Sequence, residues 1–151
     1  MKRRLFLKGA GLGAAAGIAS PAIAQSTPTV TWRLASSYPK SLETLYGACT
    51  HLSEAVAGVT DGKFKIQVFA AGEIVPALQV ADAVTNGTVE MGHSGSYFYI
   101  GKDPTLGLGT GIPFGLNARQ QHSWWYFGGG EQIVNGVLDR FNAYSIPCGN
   151  S

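Results

Sequence analysis

Ser94-Gly95-Ser96-Tyr97-Phe98-Tyr99 gathers hydroxyl groups and aromatic rings into one short segment. Serine and tyrosine hydroxyls donate hydrogen bonds and the rings beside them exclude water, so such a set can wall a small organic anion. The alternation of rings would equally suit a segment lying against a core. The catalytic patterns in the chain fall short. Gly92-His93-Ser94-Gly95-Ser96 approaches a nucleophile elbow and misses it, because Ser94 is followed by Gly95 and then Ser96. Pairing Ser94 or Ser96 with His51, His93 or His122 would make a Ser/His couple, but no spacing selects one. The histidines do not have metal-ligand spacing and there is no Cys-x-x-Cys, so no metal site is expected. Gly9-Ala10-Gly11-Leu12-Gly13-Ala14 matches the dinucleotide fingerprint by letter, yet no strand precedes it, and Gly107-Leu108-Gly109-Thr110-Gly111 lacks the third glycine at the right spacing.

The elements expected to present that segment alternate between strand and helix. Val30–Leu34 is rich in β-branched and aromatic residues and reads as a first strand. A helix beginning at Pro39–Ser41 would carry Leu42, Leu45, Cys49, Leu52 and Val56 on one face. Asp61-Gly62 is a turn, and Phe64–Phe69 alternates as a half-buried strand. A second helix from Pro76 would turn Ala77, Leu78, Ala81 and Val84 inward and stop at Asn86-Gly87. Val89–Met91 reads as a short strand leading into the aromatic segment. Asn117-x-x-Gln120 resembles a capping box before a helix over Ala118–Tyr126, which Gly128–Gly130 breaks. That helix carries Trp124-Trp125-Tyr126-Phe127, which reads as packing surface rather than a stacking platform. Ile133, Val134, Val137, Leu138 and Phe141 mark one more amphipathic helix, and Ala143–Pro147 a final short strand. This order predicts a largely parallel α/β sheet flanked by helices, with ligands at the carboxyl ends of its strands. Those ends are residues 35–38, 70–73, 92–99 and 148–151.

The N-terminus reads as an export tag. Met1-Lys2-Arg3-Arg4-Leu5-Phe6-Leu7-Lys8 is basic with paired arginines. The weakly hydrophobic run Gly9–Ala19 and the small-x-small site Ala22-Ile23-Ala24 follow it. Residues 1–24 are therefore expected to be a twin-arginine signal peptide, with residues 25–151 working in the periplasm. The apolar run is too short and glycine-rich to hold the chain in a bilayer. Four of the eleven basic residues lie in this tag, which leaves seven against nine acidic ones. The remaining chain is mildly acidic and has no Lys/Arg cluster, so no nucleic-acid partner is expected. Of the two cysteines, Cys49 falls on an apolar helix stripe and reads as a buried thiol, although the compartment would allow a disulfide with Cys148.

Blocks spread through the chain resemble one family. Trp32–Ser41, Gly72–Val80, Met91-Gly92-His93, Tyr99–Pro104 and Phe114–Gln121 are similar to segments of the solute-binding subunits of tripartite ATP-independent periplasmic (TRAP) transporters. The similarity is to the DctP type, especially the 2-oxo-acid and monocarboxylate binders. It implies a two-lobed α/β flytrap of the periplasmic-binding-protein kind, with this chain as the first lobe and the second lobe missing. It implies capture of a small organic acid (a 2-oxo acid, lactate or a C4-dicarboxylate) for a membrane permease, with no catalysis. It places Ser96, Tyr97, Phe98 and Tyr99 on the first-lobe ligand wall, with Ser37 and Asn150 at neighbouring strand ends. It assigns the carboxylate-binding arginine and a cation site to the second lobe, so no cofactor is expected in this fragment and a cation beside the substrate belongs to the complete protein. Two departures, Ser-Gly where the family favours Thr-Ala and Phe98-Tyr99 where Tyr-Trp is usual, leave the solute open. The alternative is an exported twin-arginine-dependent cofactor enzyme, which would need nucleotide or metal ligands.

Overall fold

A computed structural model of the chain describes residues 28–149, so the expected signal peptide and Asn150 lie outside the described residues. Three parallel strands form the sheet: β1 (Val30–Ser36), β2 (Phe64–Phe69) and β3 (Met91–His93), in the order β2-β1-β3. β1 is central, pairing Val30 with Phe64 along one edge and Leu34 with Met91 along the other. Successive side chains of a strand point to opposite faces. Leu34 accordingly packs with Ile66 and Cys49 of α1 (Glu43–Val59), and Ala35 with Val80 and Ala83 of α2 (Val80–Thr85). Burial pushes the Cys49 thiol up to about 12, so it stays protonated and serves as a small apolar group. Gly92 of β3 lets α2 press onto the sheet: a Cβ there would lie 2.8 Å from Val80 Cγ1 and 2.9 Å from Val84 Cγ2. A third cluster joins Tyr99, Leu106, Trp125, Val134 and Val137 between α3 (Ala118–Phe127), α4 (Gly130–Leu138) and two 3-10 turns, Ser96–Tyr99 and Pro104–Gly109.

Several elements differ from their sequence expectation. Helix α1 starts at Glu43 rather than Pro39, because residues 39–42 form a turn in which the Leu42 amide donates to the Pro39 carbonyl. Its inward face is rotated: Leu42 and Leu52 are exposed, and Ser53 turns in to donate to the Ile66 carbonyl at 2.6 Å. In the second helical segment Leu78 is exposed and Val80 and Ala83 are buried instead. A 3-10 turn over Ala77–Gln79 precedes α2 and shifts the phase. Strand β3 begins at Met91 and not Val89, since the Arg33 amide donates to Glu90 Oε2 at 2.7 Å and the ladder starts only after it. Ala143–Pro147 is not a strand. Its partner is one buried side chain: Asn135 Oδ1 accepts from the Ser145 amide at 2.7 Å, and Asn135 Nδ2 donates to the Ser145 carbonyl at 3.2 Å. The capping box at Asn117 and Gln120 is present, and Gly129, at φ 85°, separates α3 from α4. The Trp124–Phe127 run divides, with Trp125 buried and Tyr126 and Phe127 facing solvent.

Candidate functional site

The carboxyl ends of β1 and β3 carry a hydroxyl network. The Ala81 amide donates to the Tyr99 hydroxyl at 3.2 Å. Tyr99 and Ser94 Oγ lie 2.9 Å apart, Ser94 Oγ and Ser37 Oγ 2.7 Å apart, and Ser37 donates to the Ala77 carbonyl at 2.7 Å. An amide only donates, a carbonyl only accepts, and each hydroxyl has one hydrogen. Ser37 is the donor toward both Ser94 Oγ and the Ala77 carbonyl, so its single hydrogen serves these two acceptors, and either hydroxyl can donate between Ser94 and Tyr99. In a continuous α-helix the amide of residue 81 would bond the carbonyl of residue 77. Here three hydroxyls from two other elements connect these groups, where the 3-10 turn gives way to α2.

A second relay holds the front of the turn. The Tyr97 amide donates to Thr110 Oγ1 at 3.1 Å, Thr110 and Ser96 Oγ are 3.1 Å apart, and Ser96 donates to the Leu106 carbonyl at 2.7 Å. The same counting makes Thr110 the donor to Ser96. Ser96, Tyr97, Phe98 and Tyr99 thus share one 3-10 turn, and Ser37 joins them through Ser94. The protons of Ser37 and Ser96 are spent inside the fold, and Ser37 and Tyr99 are buried. Tyr97 is 43% exposed, with its ring centroid 4.4 Å from that of Phe98.

Ser94, part of the hydroxyl and aromatic segment that stands out in the sequence, is the middle link of the first relay. Thr110 is the middle link of the second, and its tertiary contacts leave no pattern in the sequence. Tyr38, two residues beyond the end of β1, packs its ring 5.2 Å from His93 and 6.2 Å from Phe98. Its position at a strand end next to Ser37 was the available signal.

Ser36 Oγ and His93 Nδ1 make the one Ser/His contact at these strand ends, at 3.2 Å. Burial holds His93 below its ordinary value, so its imidazole is neutral at pH 7. Ser36 is 1% exposed and closed to any substrate. Among the described residues no three His, Cys, Asp or Glu side chains gather as a metal site. The charges around the site are paired, Lys40 with Glu73 at 2.6 Å and Arg33 with Glu90 at 2.8 Å, and Arg140 pairs with Asp103. A concave surface of about 460 Å³, open mouth included, lies beside Thr110 and is lined by Gln121, His122, Trp125 and Pro147.

The Arg33–Glu90 pair makes a small, pH-dependent contribution to stability. Hydrogen bonds from the Arg33 side chain and then its amide pull the Glu90 carboxyl down from its ordinary 4.5 to about 2. A depressed carboxyl stabilises the fold fully above the ordinary value and loses its contribution as pH falls through the depressed one. Between pH 4.5 and about 2 the wild type should therefore resist acid better than Arg33→Gln. Circular dichroism during acid titration checks this, and coincident acid transitions for the two proteins would contradict it.

Comparison with known proteins fits this geometry. The family described as bacterial extracellular solute-binding protein, family 7 (DctP), matches residues 35–146. A monocarboxylate 2-oxoacid-binding periplasmic protein of Nostoc sp. is 52% identical over 124 residues, covering 82% of this chain and 34% of that protein. A TRAP transporter solute-binding protein from Bordetella bronchiseptica, solved with calcium and picolinate, superposes with a TM-score of 0.74 at 50% identity, over 76% of this chain and 34% of that one. A TRAP periplasmic solute-binding protein from Pseudoalteromonas atlantica, solved with sodium and pyruvate, gives 0.77 at 32% identity, over 80% and 37%. The chain thus spans about a third of the length of these relatives. The three-stranded parallel sheet, the turn at its carboxyl end and the family match agree, and the chain belongs to the DctP family of bacterial extracellular solute-binding proteins.

Proposed function

We propose that this chain is the N-terminal lobe of an extracytoplasmic TRAP receptor that captures a small monocarboxylate, a 2-oxo acid first among them, and passes it unchanged to a membrane permease. The observation that carries the reading is the Ser96–Tyr99 turn, pinned by two relays over the carboxyl ends of parallel strands with Tyr97 left facing solvent. Tyr97 and Phe98 form the ligand wall, and Ser96, Tyr99 and Ser37 stand behind it as struts. Asn150, expected from the sequence as a further contact, lies outside the described residues. The names of the Nostoc and Pseudoalteromonas proteins support a 2-oxo acid. Sodium and calcium in the solved relatives support a cation beside the substrate, held by residues outside this region. The closed Ser36–His93 contact argues for binding over catalysis. Magnetic-resonance titration of the chain with millimolar pyruvate tests the reading: resonances of Tyr97 and Phe98 should move and saturate, and shifts spread evenly over the surface would refute it.

We propose further that residues 1–24 send the protein out by the twin-arginine route, on the strength of Arg3-Arg4 followed by Phe6-Leu7-Lys8 and a weak apolar run. Arg3→Lys with Arg4→Lys should leave precursor in the cytoplasm, as read by cell fractionation. Normal periplasmic yield from a strain without that translocase would sink the assignment.

A further inference from the structure

Tyr38 is tied at three points to the ends of all three strands. Its amide donates to Ser36 Oγ of β1 at 3.1 Å, and its carbonyl accepts from the Ala71 amide beyond β2 at 3.2 Å. Its ring lies against His93 of β3 and Phe98 of the turn, at 5.2 and 6.2 Å between centroids. The hydroxyl of this fixed ring reaches over Gly95 toward Tyr97. A Cβ on Gly95 would lie 3.2 Å from the Tyr38 hydroxyl, 2.5 Å from Tyr97 Cε1 and 2.9 Å from Tyr97 Cδ1. Only a residue without a side chain leaves room there for both the Tyr97 ring edge and the Tyr38 hydroxyl. Gly95 itself has φ −87°, which any residue adopts, so space and not backbone freedom explains the glycine.

Tyr97 is the exposed partner and Tyr38 the sheltered one. Burial first, and then the Tyr97 phenol, push the Tyr38 hydroxyl up to about 12. It therefore keeps its proton at physiological pH.

We infer that Tyr38 is a positioning residue, which uses the space left by Gly95 to hold the Tyr97 phenol in one orientation and aim its hydrogen at an oxygen of the ligand. The inference rests on the receptor reading for the identity of the ligand, a small anion with an acceptor oxygen, but not for the placement of Tyr97.

Two measurements on the 151-residue chain test it. The first needs no ligand. Scalar couplings and contacts between the Tyr97 ring and the Gly95 α-protons should report one Tyr97 rotamer in the wild type. Tyr38→Phe, which removes one oxygen, should average that rotamer without moving the melting temperature. Gly95→Ala should displace the ring outright. A Tyr97 rotamer unchanged in both variants overturns the inference. The second measurement is titration with pyruvate, followed at Tyr97. Tyr38→Phe should weaken binding about tenfold, and Tyr38→Phe added to Tyr97→Phe should do no further harm, because the pair acts through one donor. Additive losses would mean that Tyr38 meets the ligand on its own and would overturn the inference. If pyruvate leaves wild-type Tyr97 unmoved while Tyr38→Phe still frees its rotamer, the receptor reading fails and the placement of Tyr97 by Tyr38 stands.

Discussion

Pyruvate mixed with the 151-residue chain at micromolar concentration should give no calorimetric heat, and joining the chain to the part of the Nostoc relative it does not match should bring binding into that range. The reason lies in the accounting of positive charge. Arg33 is held by Glu90, Arg140 by Asp103, and Arg119 stands exposed on α3. Lys40, at the β1 end, is neutralised by Glu73. None of these offers a carboxylate the planar two-pronged partner that guanidinium supplies. Each charge-assisted hydrogen bond contributes about 1.5–3 kcal/mol. Two such bonds, with the water excluded by a second covering surface, correspond to several powers of ten in affinity at about 1.4 kcal/mol per tenfold. In the joined protein Tyr97→Ala should lower affinity again. Micromolar binding by the chain alone would mean that the site is complete within it.

Trp125→Ala should abolish the cooperative thermal transition of the chain. Trp125 is 4% exposed and sits among Tyr99, Leu106, Val134 and Val137, so it ties the aromatic turn to α4. Truncating a buried tryptophan costs about 3–5 kcal/mol, which rivals the about 5–15 kcal/mol that stabilises a whole domain. This chain should lie at the low end of that range. Phe114 is 109% exposed and Phe127 91%, both large apolar side chains that gain nothing from folding. Phe114 also sits at φ 62°, in the left-handed region, in a turn closed by the Gly115 amide on the Ile112 carbonyl, where a non-glycine residue costs about 1–2 kcal/mol. The wild type should therefore melt below the joined protein and bind an apolar dye before it melts. A two-state melt of Trp125→Ala near the wild-type temperature, followed by circular dichroism, would contradict this account.

Periodicity and local chemistry were enough for the elements whose cause is local. The alternation over Phe64–Phe69 and the Asn117–Gln120 cap are such cases, since each depends on residues within one turn or one pleat. Features set by distant partners left no such trace. The late start of β3 depends on a Glu90 side chain taking the Arg33 amide, a contact fifty-seven positions apart in sequence. Ala143–Pro147 forms no strand; its partner is the Asn135 side chain, and no strand pattern encodes a side chain acting as a neighbour. The exposure of Leu78 follows from the phase shift of the 3-10 turn, itself bound to Ser37 through Ala77. At the site, the concentration of hydroxyls and rings was visible. Which hydroxyls face inward was not, because that is decided by the amides and carbonyls at the far ends of the two relays.

The Ala81–Tyr99–Ser94–Ser37–Ala77 relay also constrains how this lineage can change. Losing one hydroxyl strands a buried neighbour at about 1–3 kcal/mol, whereas apolar replacement of both partners of a bond can be nearly neutral. A first substitution at position 37, 94 or 99 is thus penalised until the others follow. These three positions should be inherited as a block, drifting together or not at all, while Tyr97 beside them stays free to vary with the solute.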